Sequence, residues 1–539
     1  MNIAFKIPEL DVRTVSRYFL AIVVSGFASL PLVAQSLCPP RPAAGTTSRD
    51  ALNLYSQNGV LNVGLTMAHS VDLFGYNHIC YKYQNGNTVV EAPTLRLNPG
   101  DTLSLHVTDD ITSTGPQSRS AMQMSASPGT TCGDTGAATV NSTNVHFHGL
   151  NVPPTCGQDD VLDTLIQPGT PGFQYTVQIP ATEPPGLYWY HPHVHGFTEF
   201  QVNGGAAGAL IVEGMEKYRP EVTGLTERVF TIRQQYLVPW VPGPYELTLN
   251  YEVAGYKPLP GPLVQMKPGE KQFWRVLNAT IQDFLPIQLQ FDGVPQQLQV
   301  VALDGYPLSQ IRSQDTILIP PAGRAEFIVP APPAGAVAQF VTLNYPTGPT
   351  GNPDLVTLLA QVQLTTTPNG VKAQPAKSIP APQTSIDHLK FSGLANLKPT
   401  TERKVYFSEE FGGTNGPIQF YITVDGQKQK IFDPNEKPAI TTNVGAVEDW
   451  TIENHALETH DFHIHQIHFL MLEVNGLPVT NQDLRDSIEI PFWMGKGPYP
   501  SVKVRMDFRD PTIAGTFVFH CHILLHEDLG MMHKIQVLP

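Results

Sequence analysis

The sequence predicts an all-β protein of several domains, and three observations carry that prediction. Short apolar runs broken by turn residues recur along all 539 residues, which include 44 glycines and 50 prolines; apolar positions at helical spacing are scarce. Three segments resemble one another: "LNPGDTLSLHV" (97 to 107), "MKPGEKQFWRV" (266 to 276) and "TNVGAVEDWTI" (442 to 452). Each turns on a glycine, takes a polar step and runs on as an alternating strand. The three glycines, Gly100, Gly269 and Gly445, stand 169 and 176 residues apart, the spacing of a whole domain rather than of a solenoid repeat. The chain therefore reads as three copies of one β-domain.

Taken in order, the chain opens with Lys6, Arg13 and Arg17, followed by the apolar run from Tyr18 to Ala34. That layout predicts a secretory signal peptide over residues 1–35 and an exported protein, periplasmic or secreted. No later run is apolar enough to span a bilayer, so no membrane partner is expected after cleavage. The first domain is expected over 36–220, with a Ser/Thr/Gly-rich loop inserted at 111–142. The second is expected over 221–364, a Pro/Thr/Ala-rich linker over 365–401, and the third domain over 402–539. The net charge of −14 argues against a nucleic-acid partner and for a small molecule or ion. Four cysteines besides Cys521 form an even set suited to an oxidising compartment. Of the three pairings available, Cys132 with Cys156 is favoured because both flank one motif, which leaves Cys38 with Cys80.

Histidines concentrate in four clusters: "HFHG" (146 to 149), "HPHVHG" (191 to 196), "HDFHIH" (460 to 465) and "HCHILLHEDLGMM" (520 to 532). The strands leading into two of them align, "GLYWYHPH" (186 to 193) with "GTFVFHCH" (515 to 522), while the second domain offers "GAVAQFVT" (335 to 342) and no histidine. Side chains alternate across a strand, so His520 and His522 share one face and Cys521 takes the other. By the same parity His463 and His465 fall together and His460 opposite. Two groups result. His463, His465, His520 and His522 join His146, His148, His191 and His193 as eight imidazoles at an interface between the first and third domains. The other group holds His460, Cys521, His526 and Met531: two imidazoles, a thiolate and a weak thioether, the ligand set of a blue-copper electron-transfer site. A zinc site would have no use for the methionine.

These four motifs resemble those of the three-domain multicopper oxidases, and the resemblance covers essentially the whole chain after residue 35. It implies three consecutive cupredoxin-like Greek-key β-sandwiches and four copper ions. By motif position it implies type 1 copper on His460, Cys521, His526 and axial Met531, and type 2 copper on His146 and His463. It implies a type 3 pair on His148, His191, His193, His465, His520 and His522, the trinuclear cluster lying between domains 1 and 3. Cys521 would receive electrons and its neighbours His520 and His522 would pass them towards dioxygen. Two acids resemble the family's proton carriers: Asp160 after the first motif and Glu527 directly after His526. The sequence departs from the family at Asp461, where many members have Pro, and at Gln466, where many have Gly. His195 and His468 stand beside the motifs without a ligand position.

The partners implied are O2 and a small organic reductant or a metal ion. Members that oxidise cuprous ion carry a methionine-rich insertion, whose thioethers select Cu(I). The 11 methionines of this chain are scattered, with Met122 and Met124 the one close pair outside the axial segment. A laccase-like oxidase of phenols and aromatic amines is therefore expected, with cuprous oxidase as the alternative. A non-catalytic copper-binding or scaffold protein is a remote third reading, because no ligand is missing. Nothing in the sequence fixes the oligomeric state.

Overall fold

The computed structural model describes residues 37–71, 77–112, 132–235, 246–255, 259–365, 385–412 and 418–539. The signal segment at 1–35, Met122 and Met124, and residues 366–384 of the expected linker lie outside the described residues. Among the described residues, strands dominate and the helices are short.

The repeated segment does the same thing three times. In each copy its strand pairs in parallel with an earlier one: Thr102–Asp110 with Val60–Val71, Lys271–Ala279 with Thr226–Gln235, and Ala446–Asn454 with Thr401–Phe411. The turn before it rests on Gly100, Gly269 or Gly445, at φ of 91°, 72° and 94°. A Cβ at any of the three would meet nothing within 4 Å, so the left-handed backbone and not crowding demands glycine there. Five residues past two of these glycines stand Trp274 and Trp450, both fully buried. Each indole N–H bonds a side chain two residues back, Gln272 at 2.9 Å and Glu448 at 2.8 Å. Burying an indole of about 200 Å² contributes roughly 5 kcal/mol, provided its N–H keeps a partner.

The opposing sheet of each copy repeats as well. Gly186–His191 lies between Gly208–Val212 and His146–His148. Ala338–Thr342 lies between Thr357–Leu364 and Leu285–Phe291. Gly515–Cys521 lies between Met532–Leu538 and His460–Ile464. The fold is thus three consecutive cupredoxin-like β-sandwiches, each closed over its own apolar core. In the middle one, the strand equivalent to the two His-x-His strands reads "LPIQLQF".

Two disulfides join Cys38 to Cys80 and Cys132 to Cys156. One expectation is corrected. The second half of the stretch read as a linker, 385–401, is docked structure: it forms two 3₁₀ turns, Ile386–His388 and Leu394–Asn396. Leu389, Phe391 and Leu394 are buried in the third core. A Pro/Thr/Ala average over the whole stretch hides these three anchors.

Candidate metal centre

The first group forms where three elements end. His460 opens the strand His460–Ile464, Cys521 closes Gly515–Cys521, and His526 sits in the short helix Leu524–Asp528. Across the sheet Phe462 opposes Cys521 and His463 opposes His520. Directly opposed residues share a face, so Cys521 lies with His460 and His520 lies with His463. Cys521 Sγ is 3.6 Å from His460 Nδ1 and 3.8 Å from His526 Nδ1, and the two Nδ1 atoms are 3.3 Å apart. Met531 is buried beside them; it receives the Cys521 N–H at its carbonyl (3.1 Å) and donates its own N–H to His526 (2.9 Å). The outer nitrogens meet acids, His460 Nε2 at 3.3 Å from Glu409 and His526 Nε2 at 3.7 Å from Glu458. Phe420 stacks on the His526 ring at 3.9 Å.

The eight other imidazoles converge between the first and third sandwiches. His146 stacks on His465 at 3.8 Å and His148 on His463 at 4.0 Å. His520 Nε2 lies 3.4 Å from His193 Nε2 and 3.2 Å from His465 Nε2. Three sets, His146/His148/His191, His146/His463/His465 and His193/His465/His520, have ligand atoms all within 4.8 Å of one another. His191 Nε2, His146 Nε2, His463 Nε2 and both nitrogens of His522 are buried without a hydrogen-bond partner. Burial first, then the neighbouring rings, hold His146 well below the usual histidine range; burial brings His191 to about 3 and His520 to about 4. Neutral imidazoles with lone pairs aimed at shared points are the form that binds metal.

Acids lock this cluster in place. Asp159 is buried and takes His146 Nδ1 at 3.0 Å, the Phe147 N–H at 2.9 Å and the Gln466 amide at 2.6 Å. Asp160, the acid expected here, does not touch His146: among the described residues its carboxylate accepts from its own turn, Leu162 N–H at 3.2 Å and Asp163 N–H at 3.1 Å. The two aspartates lie in a turn, where strand parity gives no guide to which one points inward. Asp486 reaches His148 Nε2 at 3.3 Å, and its carbonyl accepts from His463 Nδ1 at 2.7 Å. Arg324, from the middle sandwich, grips Asp486 with two bonds of 2.6 Å. A Cβ on Gly149 would stand 2.5 Å from that guanidinium, which is why "HFHG" ends in glycine. Sequence reasoning missed Asp486 and Arg324 because no local pattern marks either.

Glu527 is fully buried, 3.5 Å from His193 Nε2 and 3.3 Å from His520 Nδ1. Its neighbour Asp528 accepts the N–H groups of Gly196 (3.0 Å), Thr198 (3.1 Å) and Glu199 (2.8 Å), tying the "HPHVHG" segment to the "HCH" helix. His195 and His468 are both buried beside the cluster, His195 against Phe432 and His468 bonded to the Asp304 carbonyl at 2.7 Å. Among the described residues the middle sandwich contributes no member to these groups.

Residues 138–217, 231–363 and 412–539 each match a sequence model described as multicopper oxidase. A multicopper oxidase of Staphylococcus haemolyticus is 24% identical over 468 residues, covering 84% of this chain and 83% of that protein. A laccase of Haloferax volcanii is 25% identical over 426 residues, 72% of this chain and 66% of its own. Among solved structures, the McoA multicopper oxidase of Aquifex aeolicus superposes with a TM-score of 0.68 at 19% identity, covering 92% of this chain and 99% of that one. A Campylobacter jejuni multicopper oxidase described as a metallo-oxidase gives 0.65 at 21% identity, covering 93% and 96%.

Proposed function

The chain belongs to the multicopper oxidase family, and from that premise we propose that it is a laccase-like oxidase of phenols and aromatic amines. As a family member it is a copper-dependent oxidoreductase with O2 as acceptor and four copper ions as cofactor. Its residues fit that group: the buried imidazole nitrogens left without partners number more than any structural role needs. Bound copper supplies one-electron oxidation of the donor and four-electron reduction of O2 to water.

His460, Cys521 and His526 with Met531 are assigned to type 1 copper, and His146 and His463 to type 2. His148, His191, His193, His465, His520 and His522 are assigned to the type 3 pair. What supports the division is the register that sets Cys521 on one face of its strand and His520 on the other. Two ligands are oriented from behind: Asp159 receives His146 Nδ1–H and the Asp486 carbonyl receives His463 Nδ1–H, while Glu409 lies 3.3 Å from His460 Nε2. Glu527, pushed by burial well above the usual carboxylate range, holds a proton between His193 and His520.

The donor class rests on one observation, the carboxylate of Glu458 beside the outer edge of His526. Burial first, then the neighbouring Glu409, raise Glu458 to about 8, so above that pH its partly exposed carboxylate can take the proton that a phenol releases as it gives up an electron. Cuprous ion calls for soft thioethers, whereas Met494 is the one exposed methionine among the described residues. The test compares kcat/KM for Cu(I) and for a dimethoxyphenol on one copper-loaded preparation, with and without added Cu(II). Strong preference for Cu(I), or phenol turnover only with excess Cu(II), overturns the laccase reading. Export is part of the same proposal, supported by the N-terminal apolar run and two disulfides. N-terminal sequencing of the natively expressed protein should start near Ser36, and an intact Met1 would refute it.

A further inference from the structure

We infer that Gln466 is a positioning residue that gates the type 2 end of the cluster, and that the cavity it lines is the entry route for water and small anions. The inference rests on the copper assignment above. The cavity, about 400 Å³, has a polar side with Asn151, Lys390, Gln466 and Arg509 and an apolar side that includes Phe391 and Ile513. Within that lining, Gln466 is the residue bonded to Asp159, and Asp159 in turn holds His146.

Three features set Gln466 apart from a filler residue. It is a non-glycine at φ 61°, and the Ile467 N–H bonds the His465 carbonyl across it at 2.8 Å. A three-residue turn with positive φ at its centre is rare and strained, and such strain persists where surrounding contacts over-determine it. Here the contact is the 2.6 Å bond from Gln466 Nε2 to Asp159 Oδ2. Second, Gln466 is 2% exposed and its amide oxygen has no partner. Third, the carboxamide oxygen of Asn151, also lining the cavity, is buried and without a partner too. Two orphaned acceptors on residues lining one cavity call for small donors, and water is the one that fits both. The Gln466 side chain thus stands between solvent in the cavity and the acid that orients His146. A glycine would relax the turn and open that door.

The test uses the full copper-loaded chain and azide as the probe of access. Copper content, the blue band and a type 2 electron paramagnetic resonance signal are established first; a protein lacking them fails the copper assignment, not this inference. Gln466→Gly should then bind azide about tenfold faster, as expected when one charge-assisted hydrogen bond closing the path is lost. Its type 2 hyperfine splitting should shift while the type 1 signal stays unchanged. Ser392→Trp, which puts bulk into the cavity it lines, should slow azide binding with both signals intact. Unchanged azide rates in both variants would overturn the inference. So would faster binding in Gln466→Gly with no effect of Ser392→Trp, because access would then run elsewhere.

Discussion

Replacing Asp159 separates the structure's choice of acid from the one its sequence suggests. Asp159→Ala leaves the Phe147 N–H, the Gln466 amide and His146 Nδ1 without their common partner, contacts of 2.9, 2.6 and 3.0 Å in a fully buried site. At about 1 kcal/mol for each buried group left unmet, the copper-free protein should lose roughly 3 kcal/mol. Asp159→Asn should lose under about 1 kcal/mol, because burial pushes the carboxyl up to about 8 and the neutral acid is nearly isosteric with the amide. Both variants should weaken type 2 copper binding about 10–100-fold, since a neutral group behind His146 makes it a poorer donor. Asp160→Asn should change neither quantity, its carboxylate being engaged by its own turn. Urea unfolding of the copper-free chains reads the first effect, and chelator competition followed through the type 2 resonance signal reads the second. Loss of type 2 copper in Asp160→Asn with retention in Asp159→Asn would refute this reasoning.

Cys521→Ser should abolish the blue colour, because thiolate-to-copper charge transfer needs the sulfur; a variant that stays blue removes Cys521 from the type 1 site. Met531→Leu should keep the colour and raise the type 1 potential in a redox titration, since a lost thioether disfavours the oxidised metal; a clear fall would show that Met531 is not axial. Burial pushes Asp109 up to about 8, so the folded chain binds more protons than the unfolded one between about pH 4 and 8. Its contribution is present below about pH 4 and lost as pH rises through 8. The difference in copper-free Tm between the parent chain and Asp109→Asn should therefore shift against the parent as pH rises from 5 to 9, and a difference that does not change with pH would rule out this source.

What the sequence made legible follows from how exact each local rule is. Strand parity has a period of two, so it separated His460 and Cys521 from His463 and His520 without any tertiary information, and the register agrees. The repeat was legible because a positive φ at Gly100, Gly269 and Gly445 is a backbone demand that few side chains meet. Where no periodic rule applies, legibility stops. Asp159 and Asp160 are identical neighbours in a turn, and only the packed site tells them apart. Arg324 and Asp486 are 162 residues apart and meet only when the second and third sandwiches pack together. Gln466 was visible as a departure from the usual glycine, but its meaning depends on a bond to a residue 307 positions earlier.

The protonation state of the copper-free protein carries a consequence for how it takes up metal. All eight imidazoles between the first and third sandwiches are held below the usual histidine range, by burial first and then mostly by one another. At pH 7 they are neutral and have no proton to give up. Two other groups behave oppositely. Burial pushes the Cys521 thiol well above its ordinary value and lifts Asp159 to about 8, so both hold protons until a cation arrives. Copper loading at pH 7 should therefore release about one proton from Cys521 and about one from Asp159, apart from any released by Glu527, which also holds a proton beside the cluster. A dye in weak buffer measures the release, and the variants assign it: Cys521→Ser and Asp159→Asn should each release about one proton fewer than the parent chain. A release unchanged in Asp159→Asn would mean that the carboxyl is already ionised before metal binds, and that His146 is oriented by a charge in the empty site as well as in the loaded one.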